Sequence, residues 1–190
     1  MKVKIGTISQ IQFGLYAKPS EYGNAAYLQA KHFDDWGKQT YAVDTFVQKN
    51  HKNKVHLLQD GDILLAGKGM RNFAWTYHHD FGPAMASSLF FVLKTNRARV
   101  LPDFLTTLFN MPQTQAHFQV LGAGSSIPSI RKSELEAFKV KLPPLALQEK
   151  AIKIKRLHDK DIALSQQLIA EKQRSYQAVM KKLINQENEK

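Results

Sequence analysis

The sequence predicts an α+β (mixed α/β) protein: a sheet-rich head followed by a long C-terminal helix of coiled-coil type. Three observations carry that expectation. Up to residue 100, short runs of aromatic, branched and aliphatic residues are bounded by Gly, Asn, Asp and Pro, the pattern of strands and turns. Residues 102–120 group Phe104, Leu105, Leu108, Phe109, Phe118 and Val120 in the manner of a helical segment. From Leu145 to Lys190 neither Gly nor Pro interrupts a run of Gln, Glu, Lys, Leu, Ile and Ala, all of which tolerate a helix.

In chain order, residues 25–33, 40–47, 63–66, 73–77 and 89–93 read as strands of an antiparallel or mixed sheet. Asp60-Gly61-Asp62 turns the chain into the apolar run that begins at Ile63, and Gly67-Lys68-Gly69-Met70-Arg71-Asn72 follows it as a flexible basic loop. Pro112 breaks or kinks the helix expected over 102–120. Gly122 and Gly124 then make a loop, and Pro128-Ser129 suits a helix entry with Ser129 as its cap. Phe138, Val140 and Leu142 alternate with Lys139 and Lys141, the period of a half-buried strand that Pro143 and Pro144 end.

The closing helix is expected over residues 146–186, about 60 Å long. Ile162, Ile169, Tyr176 and Leu183 recur every seven residues, with Leu168 and Val179 near the same face, although Ser165 and Lys172 interrupt the seam. A rod of this length either packs back on its own domain or takes a partner helix.

The formal charge of +11, from 27 Lys and Arg against 16 Asp and Glu, favours polyanionic partners, nucleic acid first. Both parts carry it. Residues 1–144 hold 17 basic and 10 acidic side chains, and residues 145–190 hold 10 and 6. With no Cys there is no disulfide, thiolate zinc site or cysteine nucleophile. Thr7, Ser9, Gln10 and Gln12 break up any signal-peptide core after Lys2 and Lys4, and the apolar runs 63–66 and 89–93 are too short to span a bilayer, so a cytoplasmic protein is expected.

Catalytic motifs fail on spacing. Five residues separate Gly61 from Gly67-Lys68 where a phosphate loop needs four, and Gly69 stands where Ser or Thr would hold magnesium. Gly122-Ala123-Gly124 lacks the third glycine of a dinucleotide fingerprint. Pro143-Pro144 is flanked by Leu142 and Leu145, whereas DNA amino-methyltransferases need a polar group before the prolines and a ring after them. Pro102-Asp103 has no carboxylate-x-Lys partner further on, and His78-His79 would point to opposite faces of a strand. His32, His51, His56 and His117 have no helical carboxylate pairing, so solvated or hydrogen-bonded roles are expected of them.

An ordered set of short motifs is more informative than any one of them. Ile5-Gly6-Thr7-Ile8-Ser9-Gln10-Ile11 with Gly14, Tyr27-Leu28-Gln29-Ala30, Gly61-Asp62-Ile63-Leu64, Ile127-Pro128-Ser129-Ile130, Leu142-Pro143-Pro144-Leu145 and Gln148-Glu149 occur in that sequence. With these, the chain resembles one half of a type I restriction-modification DNA specificity subunit. The resemblance implies a target-recognition domain over residues 1–144 and a spacer or dimerisation helix over 145–190. It also implies a non-catalytic protein without cofactor of its own. Double-stranded DNA, a modification (methyltransferase) subunit carrying S-adenosylmethionine and a restriction motor-nuclease subunit are the implied partners. Full-length members resemble two copies of this unit, so a homodimer reading an inverted repeat is expected, with a fragment of a longer protein as the alternative. A self-contained nuclease or methyltransferase and a coiled-coil DNA-binding regulator are the competing classes.

Physical chemistry places the DNA contacts on Gly-bearing loops, which follow a groove while a sheet fixes them. Lys68, Arg71 and Asn72 lead, Lys18 lies on another such loop, and Ser125, Ser126, Arg131 and Lys132 flank a helix start that suits phosphate. Arg97 and Arg99 are weaker candidates.

Overall fold

The computed structural model describes residues 2–69, 71–121 and 128–186. The chain forms two compact units, 1–149 and 150–190. In the first, β1 (Lys2–Lys4) leads through a 3-10 turn to β2 (Ser9–Phe13), β3 (Ala25–Leu28), β4 (Phe46–Val47), β5 (Ile63–Ala66), β6 (Ala74–Thr76), β7 (Ala84–Ala86) and β8 (Phe90–Thr95). Helices α1 (Pro102–Phe109), α2 (Pro112–Leu121) and α3 (Lys132–Ala137) follow, then β9 (Lys139–Lys141) and the start of α4 (Leu145–Gln186). The strands make an antiparallel sheet in the order β2-β8-β5-β6, a mixed sheet β4-β3-β7 with β3 parallel to β7, and a two-stranded ribbon β1-β9.

All four residues of β5 are buried, because the strand is central and both its faces are covered. Leu64 and Ala66 join Leu28, Phe73, Phe90 and Val92 in one core, where Phe33, Phe73 and Phe90 meet pairwise with ring centroids 5.3–5.9 Å apart. Ile63 and Leu65 are fully buried on the other side. Pro112 ends one helix and opens the next, since its ring cannot continue α1 yet suits a first helical position. Asn110, in the gap, accepts the Ala74 N–H and donates to the Ala74 carbonyl, both at 2.8 Å.

Several strands differ from the sequence expectation. The strand expected over 25–33 stops at Leu28, because Gln29 and His32 close a 3-10 turn in which the Gln29 N–H donates to His32 Nδ1 at 3.1 Å. Of 40–47 only Phe46–Val47 pairs. Before it, side chains take over: Asp44 accepts from Lys31 Nζ (2.7 Å) and lies 3.0 Å from His32 Nε2, while Thr45 donates to the Tyr27 carbonyl (2.9 Å). Strands β1, β2 and β7 lie outside every stretch read as strand. Ser129 does not cap a helix; it forms a β-bridge with Lys68, and α3 begins only at Lys132. Phe138 and Leu142 flank β9 instead of lying in it, and Val140 alone of the three is buried, opposite Val3. Nor do His78 and His79 sit on a strand. Beyond Thr76 both imidazoles approach Asp60, at 3.7 and 3.5 Å, and His78 also approaches Asp103 at 3.5 Å.

The first turn of α4 is part of the head. Gln148 is completely buried: its carbonyl accepts the Leu101 N–H at 2.9 Å, and its NH2 donates to the Arg99 and Pro143 carbonyls at 3.0 and 2.8 Å. In the second unit α4 continues to Gln186. Its polar positions include a Lys155–Asp159 pair and an Arg174–Glu171 pair, spaced for helical neighbours. No helix among the described residues is long and apolar enough to cross a membrane.

Candidate nucleic-acid interface

Residues 67–69 are held in shape by backbone geometry. The Ile130 N–H donates to the Gly67 carbonyl and the Gly69 N–H to the Pro128 carbonyl, each at 2.9 Å, with Lys68 bridging to Ser129 between them. A side chain on Gly67 would strike the Phe91 ring, and Gly69 has a φ of 102° that favours glycine. The folded head therefore ties Lys68 to the segment that carries Arg131 and Lys132, two groups far apart in sequence.

Each expected contact residue has a definite place. Lys68 and Arg71 are exposed, and the Arg71 guanidinium pairs with the Asp35 carboxylate. That pair is open to solvent on both sides and contributes at most about 1 kcal/mol, so a phosphate or base edge can compete for it. Asn72 donates one amide N–H to the Ala66 carbonyl at 2.8 Å, which helps to fix the loop. Arg131 is exposed immediately before α3, where the Glu134 carboxylate accepts its N–H at 2.8 Å, and Lys132 lies 3.6 Å from Glu136. Ser125 and Ser126 lie outside the described residues. Lys18 sits on a different loop, between the exposed Tyr16 and Tyr22, anchored by Tyr27, whose hydroxyl donates to the Leu15 carbonyl at 2.8 Å. Arg97 bonds the carbonyl and carboxylate of Asp60 and thereby holds that carboxyl below its usual range; Arg99 donates to the Thr7 carbonyl at 3.2 Å.

Beside Arg71 the fold opens a cleft of about 290 Å³ lined by Asp35, Trp36, Arg71, Asn72, Asn110, Pro112, Gln115 and Gln119. Trp36 is 79% exposed. It is displayed by a rigid turn: Asp34 Oδ1 accepts the Trp36 and Lys38 N–H groups at 3.0 and 2.8 Å, and Gly37 has a φ of 76°. A solvent-facing indole next to a guanidinium and two glutamine amides puts an apolar surface and hydrogen-bonding groups side by side. Sequence reasoning passed over Trp36, Gln115 and Gln119. A lone Trp in the polar turn Asp34-Asp35-Trp36-Gly37-Lys38 was the available signal, since a tryptophan there has no apolar neighbours to bury it. Among the described residues no group of three or more His, Cys, Asp or Glu is arranged to hold a metal ion.

The chain thus combines a sheet-rich head, a basic loop docked on 128–130 and a long helix. The chain belongs to the family of type I restriction modification DNA specificity domains, whose family model matches residues 4–174. No curated protein sequence gives a significant match. Among solved structures, the fold is similar to a chain described under the structural basis of complex assembly and conformational transition of the type I R-M system, with TM-score 0.66 and 16% identity over 90% of this chain and 41% of that one. It is also similar to the type I restriction-modification S subunit from M. genitalium (TM-score 0.60, 14% identity, 84% and 39% covered). The HsdS subunit from Thermoanaerobacter tengcongensis gives TM-score 0.61 and 15% identity, with 86% and 38% covered. This chain thus spans about two fifths of the length of those solved chains.

Proposed function

We propose that the chain reads duplex DNA for a type I restriction-modification system, with residues 1–144 as the target-recognition domain and residues 145–190 as the spacer and dimerisation helix. The observation that carries this reading is the docking of residues 67–69 on segment 128–130, which couples Lys68 to the stretch carrying Arg131 and Lys132 in a member of the specificity-domain family. The chain acts in the cytoplasm and makes no covalent change in DNA. Methyl transfer from S-adenosylmethionine belongs to the modification subunit that it positions, and a restriction motor-nuclease subunit joins that assembly. Ile162, Leu168, Ile169, Tyr176, Val179 and Leu183, each 46–66% exposed, support a homodimer whose two heads read an inverted repeat.

Selection from random duplexes with the modification subunit present identifies the target. On that target Arg71→Ala lowers affinity by about 1–3 kcal/mol, and on random duplex by less. Equal losses on the two would reduce Arg71 to a phosphate contact. Incubating the pure chain with DNA, divalent metal and S-adenosylmethionine tests the non-catalytic role: cleavage or methylation overturns it.

A further inference from the structure

The ribbon that closes the head pairs two copies of the same tripeptide, Lys-Val-Lys, in antiparallel register. Val3 and Val140 face each other from the buried side. On the exposed side Lys2 stands opposite Lys141 and Lys4 opposite Lys139. Directly opposed side chains have Cβ atoms only about 5 Å apart, so each like-charged pair opposes folding. Solvated lysines are common on any surface, but their usual placement is beside a carboxylate or away from one another. Here, among the described residues, no carboxylate pairs with any of the four. The nearest acidic side chains in sequence, on α3, are engaged elsewhere: Glu134 accepts the Arg131 N–H and Glu136 faces Lys132.

We propose that this four-lysine ribbon is a binding surface for the phosphate backbone of duplex DNA, separate from the loops that read bases. The inference rests on the DNA-reading function proposed above. Lysine supplies a flexible point charge without the planar fork that reads a base edge, so the ribbon suits positioning and not sequence discrimination. Alternate strand residues are spaced about 6.6 Å apart, so the two lysine pairs present two separate centres of positive charge to successive phosphates. The ribbon is also linked to the candidate interface through the backbone. The Ile5 N–H donates to the Phe138 carbonyl next to β9, α3 runs back from there to Arg131, and Ile130 bonds Gly67 in the basic loop. An acidic protein surface has the right charge as well, but nothing in its irregular spacing calls for a doubled, evenly spaced row of lysines.

The test measures binding of the full chain to a random-sequence duplex between about 50 and 200 mM salt, for the parent and for a K2Q/K4Q/K139Q/K141Q variant. The slope of log affinity against log salt becomes shallower by about 0.9 for each lysine engaged, hence by about 3.6 if all four are. A second variant separates binding from folding. Lys2→Glu places a carboxylate opposite Lys141 and turns one repulsive pair into an attractive one, so it raises the melting temperature while weakening DNA binding. Unchanged salt slopes in a variant that still melts cooperatively overturn the ribbon and leave the recognition function standing. A parent chain with no salt-dependent DNA affinity sinks both. Loss of coelution with a modification subunit, with the salt slope unchanged, assigns the ribbon to a protein partner and overturns the proposal.

Discussion

Gln148 ties the head together from inside. Its amide uses both N–H bonds and its carbonyl on three backbone groups from two separate segments, with no exposure to water. Gln148→Leu keeps the volume but strands those backbone groups. The expected loss is on the order of 1–3 kcal/mol, read as a lower urea midpoint of the head, and a loss under about 0.5 kcal/mol would refute the assignment. Asp44 governs a different response. The Lys31 ammonium, followed by the His32 imidazole, holds its carboxyl down from 3.8 to about 2, so folding favours the ionised form. That contribution is complete above 3.8 and disappears as the pH falls toward about 2. Asp44→Asn removes it. The stability gap between parent and variant therefore narrows across that acid window, and parallel curves down to its lower end would contradict the role. The same residues explain why the expected strand is shorter than the sequence suggests: Tyr41 and Val43 look like strand formers, but Asp44 and His32 engage each other through side chains, and Thr45 adds a side-chain bond to the Tyr27 carbonyl just before β4.

At the scale of elements, legibility followed length and burial. Ile63–Ala66 was readable because a central strand covered on both faces is a continuous apolar run, and α4 because 42 uninterrupted residues leave little alternative. The three-residue strands β1 and β7 show too little of a two-residue period to register, and the parallel pairing of β3 with β7 is set by the intervening chain. On α4 the expected stripe proved incomplete, since Ile154, Leu157, Leu164 and Ile184 are also at least 53% exposed and widen the apolar face. An exposed helix with this composition gains most of its stability from a partner. Ile169→Glu places a charge in the proposed seam of both copies and costs about 3 kcal/mol or more of dimer stability, roughly a hundredfold weaker association. Light scattering at micromolar concentration checks it. A monomeric parent that also fails to shift when the modification subunit is added would end the dimer proposal.

For the whole molecule, the charge excess pointed toward nucleic acid, but only folding determines where basic groups gather. Lys68 and Arg71 were visible as cations in a glycine loop. The cleft beside them was not, because Trp36 comes from a turn before β4 while Gln115 and Gln119 come from α2, and no local pattern joins segments so distant. The identical tripeptides of β1 and β9 were equally silent, as two exposed Lys-Val-Lys runs look ordinary until their register is known. That pairing also constrains the order of folding during synthesis. At about 5–20 residues per second, β1 leaves the ribosome roughly 7–30 seconds before β9 exists to meet it. Within the head, β1 thus waits for a partner made after every other strand, and the head closes only when its growing helix is about to emerge.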